Sequence, residues 1–466
     1  MAKSPFAKRD EERDVTRRAL IKWTVAAGAA LGVSRGKIIE ILEKTAGKET
    51  AFAAAENAST RSVHLAAGNG GLSWFTLLFP QPDIGLANDA NLSYHKPGQG
   101  ALMQGTDRPY FVGPDTPWST LPAASQFTGF VAGRSQAHTN DPQATVATLG
   151  TNNIYAFATA LQSSSPSVVP VIAINGLTIG TAPGASAPTA VADATQIVGL
   201  FNSAASRAGG LLSQSKDATT YAVQYAAFAQ LNKASARSTQ KTSYTTAVGA
   251  AGLLGTNLAA KLQITPADLT RYGVTTGTQN NVKAIANGLI VAVKAFQMGL
   301  TNSIVMPAMN DDPHGAFADG RINTIPTALK NIFDAFMSDL KATTDSVTNK
   351  VLSDDTVITV TGDTPKNSVS HTGGNWGDGT PGGSNLVFVY SAGHLKSGWF
   401  GSIDRAGAVQ GFNAAGTTGG AFVPADTAKY ALASVAYAIA KGDERAISPF
   451  ANGVAISGTF GRPKNL

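Results

Sequence analysis

The segment SDDTVITVTGDTPKNSVSHTGGNWGDGTPGGSNLVFVYSAGHLKSGWFGSID, residues 353–404, decides how this chain is read. It opens on a β-branched run, Thr356-Val357-Ile358-Thr359-Val360, the signature of a buried strand. A polar, Gly-rich loop follows, holding Asp363, Thr364, His371, Asn375, Trp376 and Asp378. Leu386-Val387-Phe388-Val389-Tyr390 returns to strand and ends in the turn Ser391-Ala392-Gly393-His394. In an α/β sheet, ligands bind beyond the carboxyl ends of the strands. Carboxylates, imidazole and hydroxyls placed just after a hydrophobic strand therefore make this loop the candidate site. The competing reading is a surface loop that uses Gly, Asp and Asn for turn geometry.

The same strand–polar turn pattern recurs upstream. Ser62-Val63-His64-Leu65-Ala66-Ala67 leads into Gly68-Asn69-Gly70-Gly71, which lacks the spacing of a dinucleotide or Walker loop. Phe127–Ser135 leads into Gln136-Ala137-His138-Thr139-Asn140-Asp141. There a hydroxyl beside an imidazole could act as nucleophile or ligand, or Thr139 or Asp141 could cap a helix spanning Ala144–Gln162. Ser167–Asn175 reads as a further strand. Ser303-Ile304-Val305-Met306-Pro307-Ala308-Met309 ends at Asn310-Asp311-Asp312-Pro313-His314-Gly315. Asp312 and His314 are metal-ligand types at a strand end, or the caps of a solvated turn.

Helical patterns span Ala190–Ser206, Tyr221–Ala234, Thr245–Leu262, Asn280–Met298 and Thr427–Ile439. Ile325–Leu340 carries Leu329, Ile332, Phe333, Phe336 and Leu340 on one face. Strand, helix and strand alternate at both ends of the chain, which predicts an α/β fold with a mostly parallel sheet flanked by helices. The domain is expected over 56–466. A loop excursion falls at about 81–125 and an Ala-rich helical block at about 190–300.

Composition narrows the function. The chain has 466 residues, 43% hydrophobic and only 14% charged, enough for a large core. It has no cysteine, so disulfides, iron–sulfur clusters and thiolate zinc are excluded. Of the +6 net charge, the first 55 residues hold 11 Lys/Arg and 7 Asp/Glu, which leaves 25 basic and 23 acidic residues elsewhere. With no basic stripe, nucleic-acid binding is not expected.

Residues 1–55 read as a leader. Arg17 and Arg18 in Thr16–Lys22 form a twin-arginine pattern before a mild apolar run, Trp23–Val33. That run is too short for a stable membrane span. Ala-rich positions in Thr50–Ala55 offer cleavage sites. The partner expected from this segment is the twin-arginine export machinery, and the destination is the periplasm or the exterior.

Taken together, these motifs resemble a large group of exported bacterial proteins, domain of unknown function 1501, which looks like a divergent branch of the alkaline phosphatase and sulfatase superfamily. The resemblance covers most of residues 16–440. It rests on the leader and on Gly68–Ser73, on Asp312-Pro313-His314-Gly315 (similar to D-T-H-G) and on Gly362-Asp363-Thr364-Pro365-Lys366 (similar to G-R-T-P-K). It also rests on Ala392–Gly401 and on Pro424-Ala425-Asp426. It implies an alkaline-phosphatase-like three-layer sandwich. Asp312, His314, Asp363, His371 and Asp378 would be metal ligands and Thr139 or Thr364 a nucleophile. Strand-end position separately predicts that the polar turns after all these strands face one edge, which would bring Asn69 and His138 to the same crevice, with Asn375 in the loop beyond Asp363.

The chain departs from the pattern at Gly70 and Val360, where carboxylates are usual. In Gly374-Asn375-Trp376-Gly377-Asp378 no histidine stands beside the tryptophan. A two-metal hydrolase needs about six protein ligands. The expectation is therefore at most one divalent ion and an exported, binding or structural protein of the envelope. The alternative is a metal-dependent phosphoester or sulfate-ester hydrolase.

Overall fold

The protein is described by a computed structural model. It covers residues 60–87, 100–103, 108–135, 148–149, 152–163, 165, 167–177, 179–201, 223, 253, 257–369, 371–372, 375–377, 379–451 and 456–462. Eight strands form the main sheet: β1 (Arg61–Gly68), β2 (Phe127–Arg134), β3 (Val171–Ile174), β4 (Thr189–Val191), β5 (Ser303–Asn310), β6 (Thr356–Gly362), β7 (Ser384–Tyr390) and β8 (Gly398–Phe400). Their spatial order is β8-β2-β7-β6-β1-β5-β3-β4. β1 pairs in parallel with β5 on one side and β6 on the other.

Alternation along the central strands sorts their side chains into two cores. Val63, Leu65 and Ala67 of β1 join Ile304, Met306, Ile358 and Val360 on one face. Helices α1 (Ser73–Leu78), α3 (Asn280–Gln297) and α4 (Ile325–Ala342) cover that face. Ala66, Val305, Val357, Val387 and Val389 point to the other face, covered by α2 (Ile154–Leu161) and α5 (Pro424–Ile439). The result is a three-layer α/β sandwich. In α4 the predicted stripe of Leu329, Ile332, Phe333, Phe336 and Leu340 is buried, each side chain contributing about 1.5–3 kcal/mol. α3 lies so close to β5 that a Cβ at Gly288 would sit 2.3 Å from Met306 Cε. No helix among the described residues is long and apolar enough to cross a membrane.

Several expectations are corrected. β7 runs antiparallel to both β6 and β2, so the turn Ser391–His394 lies on the edge opposite the turns that follow β1, β5 and β6. The helix expected from Ala144 begins at Ile154, because Asn152–Asn153 pairs with Thr148–Leu149 instead. The helix expected over Ala190–Ser206 starts at Ala194. Asp193 caps it, accepting from Thr195 and Gln196 N–H, while the preceding Thr189–Val191 adds an edge strand to the sheet. Asn257 likewise caps a short helix at Leu258–Leu262 within the span expected as Thr245–Leu262. Tyr221–Ala234, apart from Val223, lies outside the described residues.

At the amino edge of the sheet, Arg61 is buried against Asp345, with Nη2 2.7 Å from Oδ2. It also donates to Thr301 O and Asn302 Oδ1. On the α2/α5 face, His64 is wholly buried beside Tyr155, and its Nδ1 lies 2.7 Å from Thr359 Oγ1. Its Nε2 has no hydrogen-bond partner.

Burial pushes the His64 pKa down to about 3 from the ordinary 6.5. Between those values the unfolded chain holds a proton that the folded chain refuses. Stability attributable to His64 is therefore full above pH 6.5 and falls as the pH drops toward 3, by up to about 1.4 kcal/mol per pH unit. In denaturant titrations at pH 7 and pH 4.5, His64→Gln is expected to lose less stability on acidification than wild type. Equal losses would remove His64 as the cause.

Candidate functional site

Three adjacent parallel strands, β5, β1 and β6, end on one edge, and their following turns meet there. After β1, Asn69 (φ 53°) and Gly70 (φ 78°) turn the chain through left-handed backbone. Gly71 then passes so near β5 that a Cβ would lie 2.6 Å from Met309 O. At the end of β6, Gly362 allows a comparable approach, a Cβ there falling 2.6 Å from Ala67 O. Asp363, fully buried, accepts from Gly70 N–H at 3.0 Å, and its own N–H donates to Ala67 O at 3.1 Å. Asp363 is thus a clasp between the turns after β1 and β6. Asn385, at the start of β7, closes the same edge by donating to Gly362 O (2.9 Å) and Asp363 O (3.2 Å).

The turn after β5 presents Asp312 and His314. Asp312 Oδ1 accepts from the His314 backbone N–H at 3.2 Å and lies 2.6 Å from ring Nδ1. Lys366 enters from the turn after β6, with φ 59° and its side chain fully buried. Its Nζ lies 3.1 Å from His314 Nδ1, 3.2 Å from Nε2 and 3.5 Å from Asp312 Oδ1. The Asp312 carboxylate, which only accepts, takes the Nδ1–H, and the Lys366 ammonium, almost equidistant from the two ring nitrogens, stands over the ring. Burial opposes ionisation of Asp312, but the His314 backbone and ring and the Lys366 charge outweigh it and hold the carboxyl below its usual range.

Around this group stand Arg321, paired with Asp311 and with Asp319 (2.7 Å), and Trp74, over which the guanidinium lies at 5.7 Å. Trp74 meets Trp376 edge-on at 5.8 Å, and the Trp376 backbone N–H donates to His314 O at 3.0 Å. The loops after β5 and β6 are therefore tied together.

Of the residues singled out in the sequence, Asn69, Asp312, His314 and Asp363 lie at this edge. Thr364 follows Asp363 and is buried, and its hydroxyl has no hydrogen-bond partner. Activation of a hydroxyl needs a base within hydrogen-bond reach. His371 and Asn375 lie in a small ladder, His371–Thr372 against Asn375–Trp376. Arg17, Arg18, His138, Thr139 and Asp378 lie outside the described residues. Among the described residues no group of three or more His, Cys, Asp or Glu side chains is placed to hold a metal ion.

Lys366, Arg321 and Asn385 belong to the edge without having been assigned a role from sequence. Lys366 was legible only as the last letter of Gly362–Lys366. The other two carry no motif. No family model, curated protein or solved structure matches the chain.

The clasp can be tested directly. Asp363→Ala leaves the Gly70 N–H without its acceptor in the interior and is expected to cost about 1–3 kcal/mol. Asp363→Asn, which keeps an acceptor oxygen, is expected to cost less. Denaturant unfolding of both variants reads this, and two variants as stable as wild type would show that Asp363 is not a clasp.

Proposed function

We propose that this chain is an exported envelope protein whose sheet edge at Asn69, Asp312, His314 and Asp363 serves binding or structure rather than ester hydrolysis. On this reading the sandwich is the alkaline-phosphatase-like one that the motifs resemble, and its metal site is eroded. The observation that carries the reading is Lys366. Its buried ammonium stands against the carboxylate and the imidazole that hydrolysis would need as metal ligands. Asp363, a third ligand type, has one oxygen committed to the backbone of Gly70. The charge balance outside the leader gives no support to a nucleic-acid partner, and the Arg17-Arg18 leader supports export by the twin-arginine machinery.

With zinc, calcium or manganese added, the purified mature protein is expected to hydrolyse p-nitrophenyl phosphate and p-nitrophenyl sulfate no faster than a buffer blank. Metal-dependent turnover that disappears in Asp312→Ala would establish instead the phosphoester or sulfate-ester hydrolase, which draws on the same pair.

Export is tested separately. Replacing Arg17 and Arg18 with Lys is expected to leave full-length precursor in the cytoplasm on fractionation. Normal processing and periplasmic recovery of that variant would refute the export reading.

A further inference from the structure

An ammonium group buried in a protein interior is retained only where neighbouring charge and acceptors offset its desolvation. Among the neighbours of Lys366 are Asp312 Oδ1 and the two ring nitrogens of His314, all within 3.5 Å of Nζ. Asp312 and His314 are also the two side chains that a divalent ion at this edge would take first. An ion bonded to both would stand close to the ammonium, and two like charges are not held near one another without strong cost. Lys366 adopts φ 59°, a left-handed conformation uncommon for a long side chain, and its side chain is fully buried.

We propose that Lys366 is a tethered cation: its ammonium, held against Asp312 and the ring of His314, supplies the positive charge that a metal ion would otherwise bring to this pair and so excludes divalent metal from this edge. The inference rests on reading this edge as the site. It does not depend on whether the site is catalytic.

The experiment uses the full mature chain, stripped with chelator and titrated with Co2+ by absorption spectroscopy and calorimetry. It compares wild type, Lys366→Gly and the double variant Lys366→Gly/Asp312→Asn. Glycine is chosen because it adopts positive φ freely. Wild type is expected to show no saturable Co2+ site dependent on Asp312. Lys366→Gly is expected to bind Co2+ at least about tenfold more tightly than wild type, the scale on which changes around a metal site register. The double variant is expected to lose that gain.

A wild-type chain that takes up an equivalent of Co2+ and loses it in Asp312→Asn overturns the proposal. So does a folded Lys366→Gly chain that binds no more tightly than wild type. If Lys366→Gly does not fold, the wild-type titration with and without Asp312→Asn decides alone. Ester hydrolysis is not part of this readout, so metal-free turnover would overturn the binding function and leave the tethered cation standing.

Discussion

The structure depends on the parallel pairing of β1 between β5 and β6. A strand hydrogen-bonded on both sides has no edge to protect, and a strand covered on both faces must alternate between two cores. β1 does both, which is why its eight residues are all buried. Because its neighbours run in its own direction, the turns after three strands far apart in sequence arrive at one place. The register places Ala67 beside Gly362, and Gly68 beside Asn310 across a small irregularity. The glycines past these strand ends let the three backbones close together, and Asp363 locks two of them. Everything at the candidate site follows from that register.

Charge inside this molecule is scarce and consistently arranged. In a chain with only 14% charged residues, Arg61 is buried with Asp345, Lys441 meets Asp355 at 2.6 Å, and Lys366 faces Asp312. Burial pulls the Lys441 pKa down, and Asp355 opposes that pull. Such pairs add little net stability over apolar packing, but removing one partner strands the other. They therefore act as constraints on geometry. Two of them join segments at the amino edge of the sheet, and the third joins the two turns that matter at the carboxyl edge.

Much of the architecture was legible in the sequence, because apolar runs ending in polar turns mark strands, and a 3.6-residue stripe marks α4. The direction of β7 was not read from its apolar run, since a run has no sense. The absence of any helical pattern between Gly362 and Ser384 was the available signal, because a parallel return requires a crossover of that kind. Helix starts at Ile154 and Ala194 were missed where Asn152–Asn153 and Thr189–Val191 found strand partners, a tertiary effect that overrides local propensity. At the site, Asp312, His314 and Asp363 could be named from strand-end position. Their grouping around Lys366 could not, because it depends on how the turns after β5 and β6 meet in space and on a long charged side chain being buried there.

The chain enters the sheet at Thr60, whose hydroxyl donates to Ile439 O while Gln162 Nε2 donates to its carbonyl. From there β1 runs its whole length before reaching Asn69, a separation of about 26 Å for eight residues. The domain thus begins at one end of the sheet, while the candidate site lies at the other. A tag, a surface linker or a fused domain placed ahead of Thr60 would hold the molecule by its base and leave the Asp312 edge facing outward, the orientation wanted for immobilised binding measurements.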